Sequence, residues 1–300
     1  MVSAICFTRE NHRFDSHGLT CAAWLYRPEQ EVDREQVIIM AHGVAAEKSF
    51  GLPAFAERFA ALGFTVFLFD YRNLGDSEGE PRNWVSHWRH AQDWDSAINY
   101  MRRLPGLEGT KPILWGSSFG GGHVISAAAR HDGIRAVVAQ VPFVDNVASV
   151  FAVGLLHATK GLAAALLDVG LYLLTGRSFT VPVVGRPGQF AAMNTAESYD
   201  GYMRIVPEGS NWGNRLPARF FLSIGVFSPL RRAARVTCPA LIIAGKDDSL
   251  SPLAAVKKTA QRMPQSRYVE MTCNHFQPYV GEYFEENIRH QIRFLKELAQ

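Results

Sequence analysis

The chain has 300 residues, of which 47% are hydrophobic and 20% charged, enough for one large core with an inserted subdomain. Its 31 basic and 28 acidic residues leave a net charge of +3 without a long run of one sign, which argues against nucleic-acid binding. The cysteines are far apart and form no C-x-x-C pair, so a disulfide framework and a zinc site are not expected. They are Cys6, Cys21, Cys238 and Cys273.

The N-terminal segment MVSAICFTRENHRF becomes polar within ten residues and lacks a secretory signal pattern, so we predict a cytoplasmic protein. The longest apolar stretch, 147–174, contains His157, Lys160 and Asp168 and is interrupted by three glycines. A membrane span would tolerate these charges badly. The stretch therefore predicts buried or amphipathic helices and no membrane span.

The first 145 residues alternate between strand and helix patterns. Two strands are predicted around ICFTR and TCAAWLY, with a turn at DSHG between them. Four continuous apolar runs follow, typical of parallel strands covered on both faces: VIIMAHG (37–43), FTVFLFDYR (64–72), PILWG (112–116) and IRAVVAQVPF (134–143). Helical patterns separate them, for example over 54–62 and 88–104. This alternation predicts an α/β fold with a mostly parallel, doubly wound sheet.

The alternation stops between 146 and 235, where apolar helices precede a Pro/Gly-rich stretch. It resumes with ALIIAG (240–245), a helix near 252–263, SRYVEMT (266–272) and a last amphipathic helix. We therefore predict a first core part at 1–145, a helical cap at 146–235 and a second core part at 236–300.

The segment PILWGSSFGGG contains the pattern G-x-S-x-G, in which Ser118 is the central serine. An apolar strand precedes it and a helix-compatible run, HVISAAAR, follows. A tight strand-to-helix turn would strain the serine backbone, expose its hydroxyl and require small residues at Gly116 and Gly120. Ser117 is the less suitable nucleophile because it would put aromatic residues at the small positions. Ser118 is the predicted nucleophile.

A serine hydroxyl needs an imidazole to remove its proton and a carboxylate to orient that imidazole. In chain order the acid and then the histidine should follow Ser118. His275, directly after the last predicted strand, is the predicted base. In GKDDSLSP, Asp248 is the predicted acid and Asp247 the alternative. Asp145 is a third candidate, although a helix N-cap is the more common role for an aspartate in that position.

Two backbone N–H groups should hold the negative oxygen of the tetrahedral intermediate. We predict that of Phe119, next to the nucleophile, and that of Val44, in the loop after VIIMAHG. His42 is interpreted as a structural side chain, and the segment DYRNLGDS (70–77) as a self-hydrogen-bonded turn without chemistry. No metal or other cofactor is predicted.

Five segments resemble α/β-hydrolases across nearly the whole predicted sheet domain: HGVAAEKSFGLPAFAERFAALGF, FDYRNLGDSEGEPRN, LWGSSFGGGHV, GKDDSLSP and NHFQPY. More narrowly, the chain is similar to the polyketide transferase and thiohydrolase family of secondary-metabolite pathways, through GSSFGGGHV, AQVPFVD, VPVVGRPGQFAAMNT and NHFQPYVG. This resemblance puts Ser118, Asp248 and His275 on the catalytic triad. It departs at Asn73, where many superfamily members have Gly, but Asn tolerates left-handed backbone.

The resemblance implies a serine hydrolase or acyltransferase that releases a polyketide acyl chain from its synthase, to water or to an alcohol. The expected substrate is an ester or thioester of a hydrophobic acyl chain, because the predicted cap is apolar, and an acyl carrier domain of the synthase is the expected partner. The alternatives are a general carboxylesterase, a peptidase acting on small peptides, and a non-catalytic ligand-binding protein of this fold.

Overall fold

The computed structural model of the protein describes residues 6–29 and 37–298. The outer ends of the predicted core parts, at residues 1 and 300, lie outside this range, as does Ile5 at the start of the first predicted strand. The main sheet has eight strands: β1 (Phe7–Ser16), β2 (Leu19–Pro28), β3 (Val37–Ala41), β4 (Thr65–Phe69), β5 (Ile113–Ser117), β6 (Ala136–Gln140), β9 (Ala240–Gly245) and β10 (Ser266–Met271).

The strand order in this sheet is β1-β2-β4-β3-β5-β6-β9-β10. β2 pairs antiparallel with β1 and with β4, and every other neighbouring pair is parallel. All residues of β3, β5, β6 and β9 are buried, as the continuous apolar runs predict for central parallel strands. The predicted α/β fold with a mostly parallel sheet is thus confirmed.

Helices cover both faces of the sheet. The helices of the core are α1 (Leu52–Ala60), α2 (His87–Met101), α3 (Phe119–Ala128), α8 (Leu253–Arg262) and α9 (Gly281–Leu298). Trp115 of β5 contacts Phe55 of α1 and donates a hydrogen bond to Gln291 of α9, so α1 and α9 share one face. Neighbouring residues of a strand point to opposite faces of the sheet. Phe69 of β4 points to the other face, where it contacts Trp94 of α2.

The segment 146–235, which we call the cap segment, lies between β6 and β9 in the chain. It contains α4 (Asn146–Val153), α5 (Leu155–Thr175), α6 (Ser198–Ile205), α7 (Phe220–Ile224) and a small antiparallel pair, β7 (Thr180–Pro182) and β8 (Arg215–Pro217). Two of its side chains donate hydrogen bonds to the loop after β3: Tyr202 to the carbonyl of Val44 (2.9 Å) and Trp212 to that of Ala45 (2.8 Å). The cap segment is thus fixed to the carboxyl edge of the sheet.

Helix α5 differs from the expectation of a helix that buries its apolar side chains. Its buried residues are Gly161, Ala164, Ala165 and Asp168, and its leucines lie mainly on the exposed side. The reason is close packing: a Cβ atom at Gly161 would lie 2.8 Å from the ring of Phe221, so only small residues fit on the inner side. By length and composition alone, α5 is the one helix within the described ranges that could cross a membrane.

Candidate active site

Ser118 lies on a sharp turn between β5 and α3, as the G-x-S-x-G pattern predicts. Its backbone angles are φ 56° and ψ −121°, a conformation that a residue with a side chain rarely adopts. The turn is fixed on both sides, because the N–H of Ser118 donates to the carbonyl of Gln140 (2.9 Å) and the N–H of Phe143 donates to the carbonyl of Ser118 (2.9 Å). The strained serine is therefore held by β6 and the loop after it.

The two glycines of the pattern are small because the backbone passes close to them. A Cβ atom at Gly116 would lie 2.3 Å from the carbonyl oxygen of Gly120, and one at Gly120 would lie 2.5 Å from that of His42. Both distances are far below van der Waals contact, so no larger residue fits without moving backbone. The sequence-based explanation of these glycines is confirmed.

Ser118, His275 and Asp248 form one row of hydrogen-bonded side chains. The Nε2 atom of His275 lies 2.9 Å from Oγ of Ser118, and its Nδ1 atom lies 2.7 Å from Oδ2 of Asp248. The other carboxylate oxygen of Asp248 accepts the N–H groups of Leu250 and Ser251, both at 2.8 Å. These bonds leave Oδ2 directed at the imidazole. The structure thus brings together the three side chains that the sequence singled out.

The imidazole of His275 is buried, which by itself disfavours its charged form. The carboxylate of Asp248, and after it the charge of Glu197, outweigh this effect and raise the pKa of His275 above its ordinary value. A raised pKa means a more basic nitrogen and stabilises the imidazolium that forms when a proton is taken from serine.

The two alternative acids lie elsewhere. Asp247 is exposed, whereas the side chain of Asp248 is 1% exposed. Asp145 is the N-cap of α4, where its carboxylate accepts the N–H of Val147 at 3.1 Å. The structure therefore gives Asp145 the capping role and brings Asp248 alone of the three to His275.

The two residues whose N–H groups are the predicted donors lie near Ser118. Phe119 is the first residue of α3, and the first N–H groups of a helix have no acceptor within the helix. The loop of Gly43 and Val44 abuts the serine: a Cβ atom at Gly43 would lie 3.4 Å from Oγ of Ser118. Val44, Ser118 and His275 line the same small cavity of about 20 Å³, here called the nucleophile cavity.

The turn after β4 forms hydrogen bonds to another loop as well as within itself. The buried carboxylate of Asp70 accepts the N–H of Asp76 within the turn (3.0 Å), but it also accepts the N–H and the ammonium group of Lys48, at 2.6 and 2.7 Å. His42 lies 3.5 Å from the same carboxylate. Asp70 thus anchors the loop that contains Val44. The sequence analysis missed this supporting role because Lys48 is not part of a recognisable motif.

Glu197 is the second side chain that sequence reasoning missed. Its carboxylate accepts the N–H of His275 (2.9 Å), the N–H of Ser249 (2.8 Å) and the hydroxyl of Ser249. A single carboxylate from the cap segment therefore connects the loops of Asp248 and His275. Glu197 directly precedes α6, so in the sequence it looks like an acidic residue at a helix start. Only the tertiary fold brings it to the site.

A larger apolar cavity lies between α4, α5 and α7, and we call it the cap cavity. Its volume is about 340 Å³, and Phe143, Val150, Leu162, Phe220 and Phe221 form much of its wall. Phe143 connects its wall to the nucleophile turn, because the N–H of Phe143 is bonded to the carbonyl of Ser118. The cap cavity and the nucleophile cavity share no lining residue, but Ala192 of the one and Met193 of the other are neighbours in the chain. Within the described ranges, no three His, Cys, Asp or Glu side chains are grouped so that they could hold a metal ion.

Comparison with known proteins identifies the family of the chain. Residues 33–275 match the family model Hydrolase_4, described as "Serine aminopeptidase, S33". The quorum-quenching protein AidA of Acinetobacter baumannii (strain MDR-ZJ06) is 38% identical over 96% of this chain and 94% of its own. The polyketide transferase ATR5 of Stachybotrys chlorohalonatus (strain IBT 40285) is 27% identical over 98% of both chains.

Among solved structures, the α/β hydrolase GrgF from Penicillium sp. sh18 superposes with a TM-score of 0.82 over 98% of this chain and 100% of its own, at 24% identity. That identity supports the fold alone. The family match covers most of the chain and includes the β5–α3 turn and His275. The chain therefore belongs to the Hydrolase_4 family and is an enzyme of the serine-hydrolase type with the α/β-hydrolase fold.

Proposed function

We propose that this enzyme transfers acyl groups through a covalent intermediate on Ser118, with His275 as the base and Asp248 as the acid that orients it. The observation that carries the proposal is the row of hydrogen bonds from Oδ2 of Asp248 through His275 to Oγ of Ser118, at 2.7 and 2.9 Å. The 2.9 Å contact allows direct proton transfer from Ser118 to His275, and the 2.7 Å contact lets Asp248 orient the imidazole and stabilise its charged form.

In the first half of the reaction, Nε2 of His275 takes the hydroxyl proton as Oγ bonds to the acyl carbon. The negative oxygen that forms is held by the N–H groups of Phe119 and Val44. The bond to the leaving alcohol or thiol then breaks, and His275 returns the proton to it. Water or an alcohol attacks the acyl-enzyme in the second half, activated by the same imidazole.

The substrate is an ester or thioester of a hydrophobic acyl chain. The cap cavity supports this, because apolar and aromatic side chains form most of its wall and its volume of about 340 Å³ suits a small-molecule site. It borders Phe143, one hydrogen bond from the nucleophile. The names polyketide transferase and thiohydrolase among the relatives make release of a polyketide acyl chain from its synthase our first choice, with an acyl carrier domain as donor.

A second candidate follows from the relative with 38% identity, which is named a quorum-quenching protein. On this chemistry, the enzyme would hydrolyse a small signal molecule that has an apolar acyl chain on an ester or lactone. Both candidates use the same nucleophile and the same apolar cavity, and they differ in the leaving group.

An aminopeptidase reaction, which the description of the family model names, has less support. It requires a carboxylate that is free to bind the ammonium group of a peptide. Glu197 lies beside His275, but its two oxygens already accept hydrogen bonds from Ser249 and His275. A general carboxylesterase remains compatible with the site, and a non-catalytic binding protein would have no need of the complete hydrogen-bonded row.

The test is intact-mass spectrometry after incubation with acyl thioesters, acyl esters and acyl lactones of graded chain length. We expect the mass of one acyl group on the wild type and none on Ser118→Ala. Asp248→Asn should slow acylation at least 100-fold, because the imidazole loses the carboxylate that orients it. Asp247→Asn, the matched control next to it, should acylate at nearly the wild-type rate.

The chain-length series separates a cap cavity that binds the acyl chain from one that does not. An acylation rate that increases with chain length up to a limit supports binding of the acyl chain in the cap cavity. An acylation rate independent of chain length contradicts it. Labelling of Ser118→Ala at the wild-type rate would refute the proposed nucleophile.

A further inference from the structure

Helix α5 and Phe151 of α4 expose large apolar side chains. Eight large side chains form what we call the leucine face, with the following exposed fractions: Phe151 82%, Leu155 74%, Leu156 70%, Leu162 49%, Leu166 59%, Leu167 55%, Leu173 78% and Leu174 86%. In an ordinary amphipathic helix the leucines point to the core. Here the leucines face outward along about 30 Å of helix.

The orientation of α5 is fixed by its inner side. Asp168 is fully buried, and its carboxylate accepts the backbone N–H of Phe179 and two side-chain N–H groups of Arg219, at 2.7 to 3.0 Å. Gly161 packs against the ring of Phe221. Turning the leucines inward would break this buried ion pair and force larger side chains against Phe221. The contacts on the inner side of α5 therefore keep the leucine face exposed.

The size of the face matches a protein interface. The exposed fractions of these eight side chains correspond to about 1,000 Å² of surface, against roughly 800 Å² that each partner buries in a stable complex. The largest apolar patch of a typical monomer is about 300–600 Å². An enzyme with so large an apolar surface would aggregate unless something covers it.

The face has the form of a helix-packing surface. Positions 155, 162, 166 and 173 form one row and positions 156, 163, 167 and 174 a second, each with steps of seven, four and seven residues. This is the spacing with which helices pack along a seam. The small residues Thr159 and Gly170 lie between the two rows, and Ala163 leaves a gap in the second, so that a second helix could approach closely there.

The chemistry of the face favours protein over lipid as its partner. Lys160 is the one charged side chain among the exposed residues of α5 up to Leu174. Helices that bind a membrane surface have an apolar face of Trp, Phe or Leu and several Lys or Arg beside it, so the basic residues are what distinguishes them. In the described part of α4 and α5 there is neither a Trp nor a basic cluster on this side.

We propose that the leucine face is the interface of a homodimer, in which α5 of one chain packs antiparallel against α5 of a second copy about a two-fold axis. In a two-fold interface both partners contribute the same surface. A second copy meets this requirement, because it presents an equal apolar area with the same two rows and the same groove between them. The proposal does not depend on which acyl group the enzyme transfers.

Sedimentation equilibrium and light scattering of the wild type and of Leu166→Glu/Leu173→Glu test the proposal. Both positions are exposed, so the substitutions remove no packing from the monomer, and neither lines the cap cavity, unlike Leu162. The wild type should have twice the mass of the chain at micromolar concentration. The variant should dissociate at least 100-fold more readily, because symmetry puts four buried glutamates into one interface.

Met203→Glu is the matched control, since Met203 is a 40% exposed apolar residue on α6 and should leave the dimer unchanged. Labelling of Ser118 by a fluorophosphonate and the melting temperature report that each variant is folded. A wild type that is monomeric at 50 µM overturns the proposal, as does a folded double variant that remains dimeric. A monomeric wild type that co-sediments with phosphatidylglycerol vesicles overturns it in favour of a lipid surface.

Discussion

At the scale of single residues, Glu197 offers the sharpest test of how the site is supported. Its negative charge is one cause of the raised pKa of His275, and its oxygens hold the backbone of His275 and Ser249. The charged groups that act on this imidazole are Asp248 and Glu197. Replacing Glu197 by glutamine removes one of the two charges and leaves the size of the side chain unchanged.

We expect Glu197→Gln to lower the pKa of His275, because a nearby negative charge favours the imidazolium. Catalysis requires the neutral imidazole, so the acid limb of the pH profile of kcat/KM should move to lower pH. At the pH optimum kcat should fall about tenfold, since charge-assisted hydrogen bonds to two catalytic loops are lost. Stopped-flow acylation with a chromogenic ester between pH 4.5 and 9 measures both effects.

The control is Ser249→Ala, which removes one hydrogen-bond partner of Glu197 and keeps its charge. Its acid limb should coincide with that of the wild type. A Glu197→Gln enzyme whose acid limb does not move would show that the carboxylate has no electrostatic effect on His275.

The sequence identified Ser118, Asp248 and His275 because each lies within a short local pattern directly after a strand. Glu197 and Lys48 were missed because what they do depends on residues far away in the chain. No local spacing relates Glu197 to His275, which is 78 positions later. Supporting residues of this kind become visible only when the loops are assembled.

At the scale of elements, the position of α5 depends on one buried ion pair. The carboxylate of Asp168 binds the guanidinium of Arg219 at 2.7 Å and its backbone N–H at 2.8 Å, and the guanidinium also lies 4.0 Å from the ring centre of Tyr172. Asp168→Ala should lower the free energy of unfolding by about 3–5 kcal/mol, because Arg219 is left buried without its counter-charge. Guanidinium chloride unfolding followed by circular dichroism measures this loss.

Asp200→Ala provides the comparison, because its ion pair with Arg186 is more than half exposed on both sides. Its cost should be at most about 1 kcal/mol. Equal losses for Asp168→Ala and Asp200→Ala would mean that the buried pair does not hold α5 in place.

Hydrophobic patterning predicted the core strands and helices well and α5 poorly, for one physical reason. In β3, β5, β6 and β9 the apolar residues have both sheet faces to cover them, so composition alone indicates burial. In α5 an apolar helix has two sides that could be buried. The side with small residues and Asp168 packs inward because it fits Phe221 and Arg219, and the sequence does not reveal that complementarity.

At the scale of the whole molecule, three buried histidines limit stability in acid. Burial lowers the pKa of His87 to about 4 and those of His90 and His123 well below the ordinary value. Above pH 6.5 these groups are neutral in both the folded and the unfolded chain. Below it the unfolded chain binds protons that the folded chain does not, so each histidine destabilises the fold by up to about 1.4 kcal/mol per pH unit.

We therefore expect the melting temperature to fall steadily between pH 7 and pH 5. His123→Phe should make this fall shallower, because the ring lies among Phe119 and Phe227 and a neutral aromatic can occupy the site. The raised pKa of His275 acts in the opposite direction, stabilising the fold at low pH, but it is one histidine against these three and His157, whose pKa burial also lowers. A melting temperature independent of pH in this range would contradict the expectation.

The chain order of the site constrains how such enzymes could be recombined. Ser118 precedes the cap segment, and Asp248 and His275 follow it, so a chimaera could exchange 146–235 for the corresponding segment of another hydrolase and retain every atom that reacts. Glu197 would leave with the exchanged piece, although it tethers both loops of the recipient. A grafted segment would therefore have to supply a carboxylate at the same place. A single acidic residue thus decides whether the cap segment of another hydrolase is compatible with this core.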